Sequence, residues 1–185
     1  MPGASEPHPP LPLEAVHELL RGKVPMSAVI SDCGQYRYLL ERDLGNGIGQ
    51  RCTFIMLNPS TADGEMDDPT IRRCKGFARA WGYGQLAVVT LFAYRTPDPR
   101  QLRAVDDPVG PKNDDYVRDV VTESAMVVAA WGAHGRLYRR ADCVRGMLER
   151  DRVSLHYLRL GEHAPSHPLY LPKDLTPIRW EDEQK

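Results

Sequence analysis

No stretch of the chain stays apolar for the ~20 residues that a membrane-spanning helix needs. No basic surplus is present either: 24 Lys and Arg face 25 Asp and Glu, a formal net charge of -1. A protein that holds a long duplex by its phosphates needs a cation for each contact, so extensive wrapping of nucleic acid is not expected. Local contact with one nucleotide or a few phosphates is compatible with this balance. The four cysteines, Cys33, Cys52, Cys74 and Cys143, contain no Cys-x-x-Cys pair, which argues against a zinc knuckle or a secreted disulfide framework. Also missing are a Gly-x-Gly-x-x-Gly fingerprint, a phosphate-binding Gly-Lys-Ser/Thr loop and a Gly-x-Ser-x-Gly elbow. Dehydrogenase, nucleotide-kinase and serine-hydrolase readings therefore lack their usual signatures. The first residues offer neither a basic nor an apolar segment of a signal peptide, and reduced thiols in the cytoplasm are the expectation.

What is present is one domain's worth of alternating patterns. The length of 185 residues suits a single core. Residues 1–12 hold five prolines and little to bury, and are read as a disordered or extended tail; 13–185 form one domain. A short helix is expected over 13–20. Segments 28–30 and 36–42 read as paired strands around a turn at 31–34. Three further runs, 52–57, 86–92 and 126–131, are continuously apolar and rich in strand formers, the pattern of strands buried on both faces. A fourth strand is expected over 154–160. Between them, 68–81, 113–125 and 135–149 carry apolar residues at helical spacing, and Asp68-Pro69-Thr70 reads as a helix start. Strands alternating with helices predict βαβ units, and thus an α/β fold with three layers, α/β/α, around a mainly parallel sheet.

In such sheets ligands bind beyond the carboxyl ends of the strands, which directs attention to four loops. After the first buried run come Asn58, Pro59, Ser60 and Thr61, followed by the carboxylates Asp63, Glu65, Asp67 and Asp68. An asparagine amide can orient a water or read a base edge, and the following proline keeps it out of helical geometry. An ordinary turn is the competing explanation, since these residue types favour turns. The alternating carboxylates fail the calcium-loop pattern, which wants glycine and glutamate where Asp68 and Cys74 stand. No metal or other cofactor is expected. The last loop carries Ser166 and His167, the latter able to donate a proton or a hydrogen bond to a leaving group. Trp131 and His134 could wall a pocket, Tyr94 could stack on a base, and Arg72 and Arg95 could reach phosphate.

Six ordered motifs carry a resemblance. They are Ile55-Met56-Leu57-Asn58-Pro59-Ser60-Thr61-Ala62-Asp63, Asp67-Asp68-Pro69-Thr70-Ile71-Arg72-Arg73, Leu91-Phe92-Ala93-Tyr94-Arg95, Asp107 through Asp114, Ala130-Trp131-Gly132-Ala133-His134-Gly135 and His167-Pro168-Leu169-Tyr170-Leu171. Together they resemble a bacterial and phage family of domains of unknown function, DUF sixteen-forty-three. More distantly, the layout is similar to the uracil-DNA glycosylase superfamily. Leu57-Asn58-Pro59-Ser60 resembles the loop on one side of that superfamily's base pocket, and His167-Pro168-Leu169 the loop on the other. Thr90 stands where those proteins commonly place a base-reading asparagine.

The resemblance implies a uracil-DNA glycosylase-like fold and hydrolysis of an N-glycosidic bond in a nucleobase-containing substrate, a modified base in DNA or a nucleotide. Asn58 would position the attacking water and His167 would stabilise the departing base. Two other functions stay open: a non-catalytic nucleotide or modified-base binding module, and a carboxylate- or metal-assisted hydrolase or transferase centred on Asp63 and Asp68.

Overall fold

Burial on both faces organises the centre of the molecule. The computed structural model describes residues 27–45, 49–60, 66–162 and 164–180, so the expected tail, the helix at 13–20, and residues Thr61 and Asp63 lie outside the described part. Strand β3 (Arg51–Met56) is buried along its whole length. Its side chains alternate between two cores: Cys52, Phe54 and Met56 join one cluster, while Ile55 and Leu57 join the other. Helix α1 (Pro69–Ala80) buries Ile71, Cys74, Phe77 and Ala78 in the first cluster. Phe77 and Phe54 both stack on Trp81, at 5.4 and 6.0 Å between ring centroids. Burying each such phenylalanine contributes roughly 1.5–3 kcal/mol. Helices α2 (Asn113–Thr122) and α3 (Arg140–Arg150) supply Val117, Val120, Val121, Val144, Met147 and Leu148 to the second cluster. Among the described residues, one α-helix thus packs on one face and two on the other.

The remaining strands are β1 (Ser27–Ile30), β2 (Arg37–Asp43), β4 (Gln85–Thr90), β5 (Met126–Ala129), β6 (Leu155–Tyr157) and β7 (Ile178–Arg179). Among the described residues they form one seven-stranded sheet in the order β1-β2-β4-β3-β5-β6-β7. The class is α/β, but the sheet is mixed rather than mainly parallel. Pairings β3–β4, β3–β5 and β5–β6 are parallel, while β1–β2, β2–β4 and β6–β7 are antiparallel. The physical reason lies at the edges. The tight turn after β1, with Gly34 at φ +71°, returns the chain beside itself, and β7 closes the far edge without a crossover helix.

Chain order creates one reversal. From β3 the chain crosses by α1 to β4 on one side, then by α2 to β5 on the other side of β3. The crevice between the carboxyl ends of β3 and β5 is therefore the topological switch point, where ligands of open α/β sheets bind.

Two expectations need correction in detail. The helix expected over 135–149 is a 3-10 segment (Ala133–Arg139) followed by α3, because Tyr138 and Arg139 adopt left-handed φ of 53° and 55° and break the helical run. Strand β6 is three residues long, Leu155–Tyr157, rather than extending over 154–160.

Candidate functional site

The loop after β3 is stitched to the loop after β4 through Asn58. Leu91 and Phe92 donate their N–H groups to the carbonyls of Met56 and Leu57, at 2.9 Å each, so the two strands stay paired to the start of the loop. The half-buried Asn58 then donates from Nδ2 to the carbonyl of Thr96 at 2.8 Å and to that of Pro59 at 3.0 Å. Thr96 returns a bond, its N–H donating to the Pro59 carbonyl at 3.0 Å. With two carbonyls as partners, the atom facing them must be the amide nitrogen. Both N–H donors are thereby spent, and the Asn58 carbonyl oxygen has no protein partner among the described residues. It remains available as an acceptor.

The last loop is anchored to the end of β5. Gly132 donates its N–H to the carbonyl of Pro165 at 2.9 Å, and Ser166 donates to that of Arg159 at 2.8 Å. Gly132 adopts φ +70°, and a Cβ there would lie 4.0 Å from the Cβ of His167, so the end of β5 and the histidine are in adjacent positions. His167 precedes a short 3-10 turn (Pro168–Tyr170), and its Nδ1 accepts from the Leu169 N–H at 3.3 Å. Arg73 of α1 donates to the Leu171 carbonyl, tying this loop to the helix that follows the Asn58 loop. Part of His167 remains exposed, yet its ring is surrounded closely enough that lost hydration lowers its pKa below the ordinary 6.5; the carboxylate of Asp68 pulls the other way. The neutral ring is the favoured form. With Nδ1 accepting, its proton sits on Nε2, which makes that nitrogen a donor.

The other residues singled out by sequence take different places. Asp68 caps α1, accepting from the Ile71 N–H at 2.8 Å. Its neighbour Asp67 is bound by Arg42 at 2.7 Å and Lys75 at 2.6 Å. Asp63 and Thr61 lie outside the described residues, and Ser60 and Ser166 are half-buried. Arg72 donates to the Asp67 carbonyl at 2.5 Å, and Arg95 to the carbonyl of Gly34 in the β1–β2 turn at 3.1 Å. Tyr94 is half-buried, edge-on to Tyr36 at 6.1 Å. Trp131 is 2% exposed and belongs to the core; its ring covers Gly135 so closely that a Cβ there would come within 2.3 Å of Cδ1. His134 is exposed.

Thr90 is buried, with an Oγ1 that has no partner. Beside it sits the fully buried Asn113, whose Nδ2 donates to the Thr90 carbonyl at 2.9 Å and the Leu91 carbonyl at 3.1 Å. Arg140 donates to the same Leu91 carbonyl at 2.7 Å and pairs with Asp114. Sequence reasoning singled out neither Asn113 nor Thr96. Asn113 stood in one of the quoted motifs, and its position at a helix start concealed its service to β4. Nothing marked Thr96. Among the described residues no group of three or more His, Cys, Asp or Glu side chains could hold a metal ion, and no helix is long and apolar enough to cross a membrane.

Neither the curated proteins nor the solved structures contain a match to this chain. A family described as "Protein of unknown function (DUF1643)" matches residues 37–169, a span that begins at β2 and ends in the loop after His167. The chain belongs to the DUF1643 family.

Proposed function

We propose that this protein is a glycosylase-like hydrolase that cleaves the N-glycosidic bond of a nucleobase-containing substrate, in a three-layer scaffold akin to that of the uracil-DNA glycosylases. The observation that carries the reading is the orientation of Asn58. Its two donors are consumed by Pro59 and Thr96, leaving a carbonyl oxygen that can only accept, as needed to hold an attacking water.

Hydrolysis adds water across the bond between the sugar's anomeric carbon and the base nitrogen. Oxygen bonds to carbon and the base departs with the bonding electron pair; one of water's protons stays on the new anomeric hydroxyl and the other ends on the departed base. Positive charge grows on the sugar and negative charge on the base. Asn58 would align the water on one side. On the other, a neutral His167 with hydrogen on Nε2 would donate to the departing base's oxygen, a role served by the lowered pKa.

One observation favours a second reading, a non-catalytic nucleotide or modified-base binding module: the Asn58 amide already has a structural task in joining two loops. The two readings part in an Asn58→Ala variant assayed for both turnover and substrate affinity. The hydrolase loses turnover while binding persists. Wild-type protein that binds a nucleobase ligand without turning it over favours the module.

A further inference from the structure

Two tyrosine rings stand out into solvent at the end of the sheet that carries Asn58 and His167. Tyr138 lies in the 3-10 segment after β5 and is 59% exposed; Tyr170 lies in the turn after His167 and is 90% exposed. Strands β5 and β6 run parallel and side by side, so the loops that follow them leave the same end of the sheet. The Gly132 N–H bond to the Pro165 carbonyl joins those two loops. Neither ring belongs to either core cluster. Both are presented by fixed backbone. Leu171 is buried and Arg73 holds its carbonyl, while Pro168 stiffens the start of the turn, so the Tyr170 ring is kept outside. Tyr138 sits at φ +53°, a left-handed conformation that costs a bulky residue stability and that glycine or asparagine adopts far more readily. A ring held in water on such a backbone does little for the fold, and strained residues of this kind gather where ligands are held.

We propose that Tyr138 and Tyr170 are stacking platforms for bases that neighbour the target, and that the substrate of this site is a single-stranded polynucleotide rather than a free nucleotide. Every base offers a face to an aromatic ring, so stacking grips a strand without regard to its sequence. Charge points the same way. A chain of net charge -1 is not built to hold a strand chiefly by its phosphates, whereas rings need no cationic surplus. A protein partner would ask for a continuous apolar patch. Each tyrosine instead has exposed polar side chains close by, Arg136 and Arg139 around Tyr138 and Lys173 after Tyr170. A duplex keeps its bases stacked on one another and out of reach. That bases are what is bound rests on the nucleobase reading above; that more than one nucleotide is engaged rests on the two rings.

The test is fluorescence anisotropy of the full chain with labelled single strands about ten nucleotides long, one of DNA and one of RNA. An abasic strand with the same phosphates, the matching duplex and unlabelled mononucleotides complete the set. It is repeated on Tyr138→Asn, Tyr170→Ala, Tyr138→Phe and Tyr170→Phe. At least one single strand should bind about tenfold or more tightly than its abasic counterpart, its duplex and any mononucleotide, and which strand does so names the sugar. Tyr138→Asn and Tyr170→Ala should each weaken it roughly five- to hundredfold, the range of one lost base stack, while phenylalanine at either position should keep it. Tyr138→Asn should also leave the urea unfolding midpoint unchanged or raise it, because asparagine accepts the left-handed backbone; weaker binding there is then not lost folding. No strand binding, equal affinity for the abasic strand or the duplex, a mononucleotide that binds as tightly, or indifference to either tyrosine variant would each overturn the proposal. Strand binding that needs both rings, without base release, sinks the hydrolase and keeps this surface. Base released from free nucleotides by a protein that binds no strand does the reverse.

Discussion

His167 shows how a single side chain can be set by its surroundings. The Leu169 N–H aimed at Nδ1 and the loss of hydration both favour the neutral ring, while the Asp68 carboxylate favours the charged one. The folded protein therefore binds fewer protons here than the unfolded chain between the two pKa values. The resulting stabilisation is present above about pH 6.5 and fades as pH falls through the lower, folded value. An NMR titration of the histidine ring should give a pKa below 6.5, and Asp68→Asn, which removes the opposing charge, should lower it further. A value above 6.5, or a rise in the variant, would contradict the account of His167 as a neutral donor. Asn58 was prominent in the sequence because a strand-like run ends abruptly at Asn-Pro. Its partner Thr96 was not, since a backbone carbonyl from a distant loop leaves no pattern to read.

At the scale of elements, helix α1 was legible almost to the residue. Asp68 followed by Pro69 and apolar residues at spacings of three and four marked its start and its buried face. Replacing Asp68 by alanine should cost about 1 kcal/mol in urea unfolding, by removing the bond to the Ile71 N–H, whereas asparagine at this position should preserve most of the stability. Helix α3 was only half legible. Its apolar spacing is genuine, but nothing in Tyr138 or Arg139 announces a left-handed backbone, which glycine normally supplies. Strand β7, two exposed residues long, has no hydrophobic pattern at all; the Trp180 N–H bond to the Leu155 carbonyl at 2.7 Å extends its contact with β6.

Across the whole molecule, the alternation of strands and helices was readable and the strand order was not. Order depends on which edges accept the hairpin and the final strand, a matter of long-range packing that local periodicity does not encode. Distant segments are also joined by charge. Arg42 of β2 is 1% exposed and binds Asp67, which Lys75 of α1 also holds, so the approach to α1 is pinned to the sheet. Burial alone would raise the Asp67 pKa, but the two cations prevail and lower it. Their stabilisation is present above the unfolded carboxylate value and is lost as pH falls through the folded one. Asp67→Ala should destabilise the fold by about 3 kcal/mol, because it leaves the Arg42 charge buried with fewer partners. A loss under about 1 kcal/mol in chemical unfolding would show the network to be dispensable.

The central claim is cleavage of a base from its sugar, and mass spectrometry of released free bases tests it most directly. The panel spans natural and modified nucleosides, nucleotides, and single- and double-stranded DNA, each incubated with wild type and with Asn58→Ala. The account predicts a free base from at least one member with wild type, and its disappearance with the variant. Release that continues undiminished in Asn58→Ala, or a substrate that binds tightly and emerges intact, would contradict it.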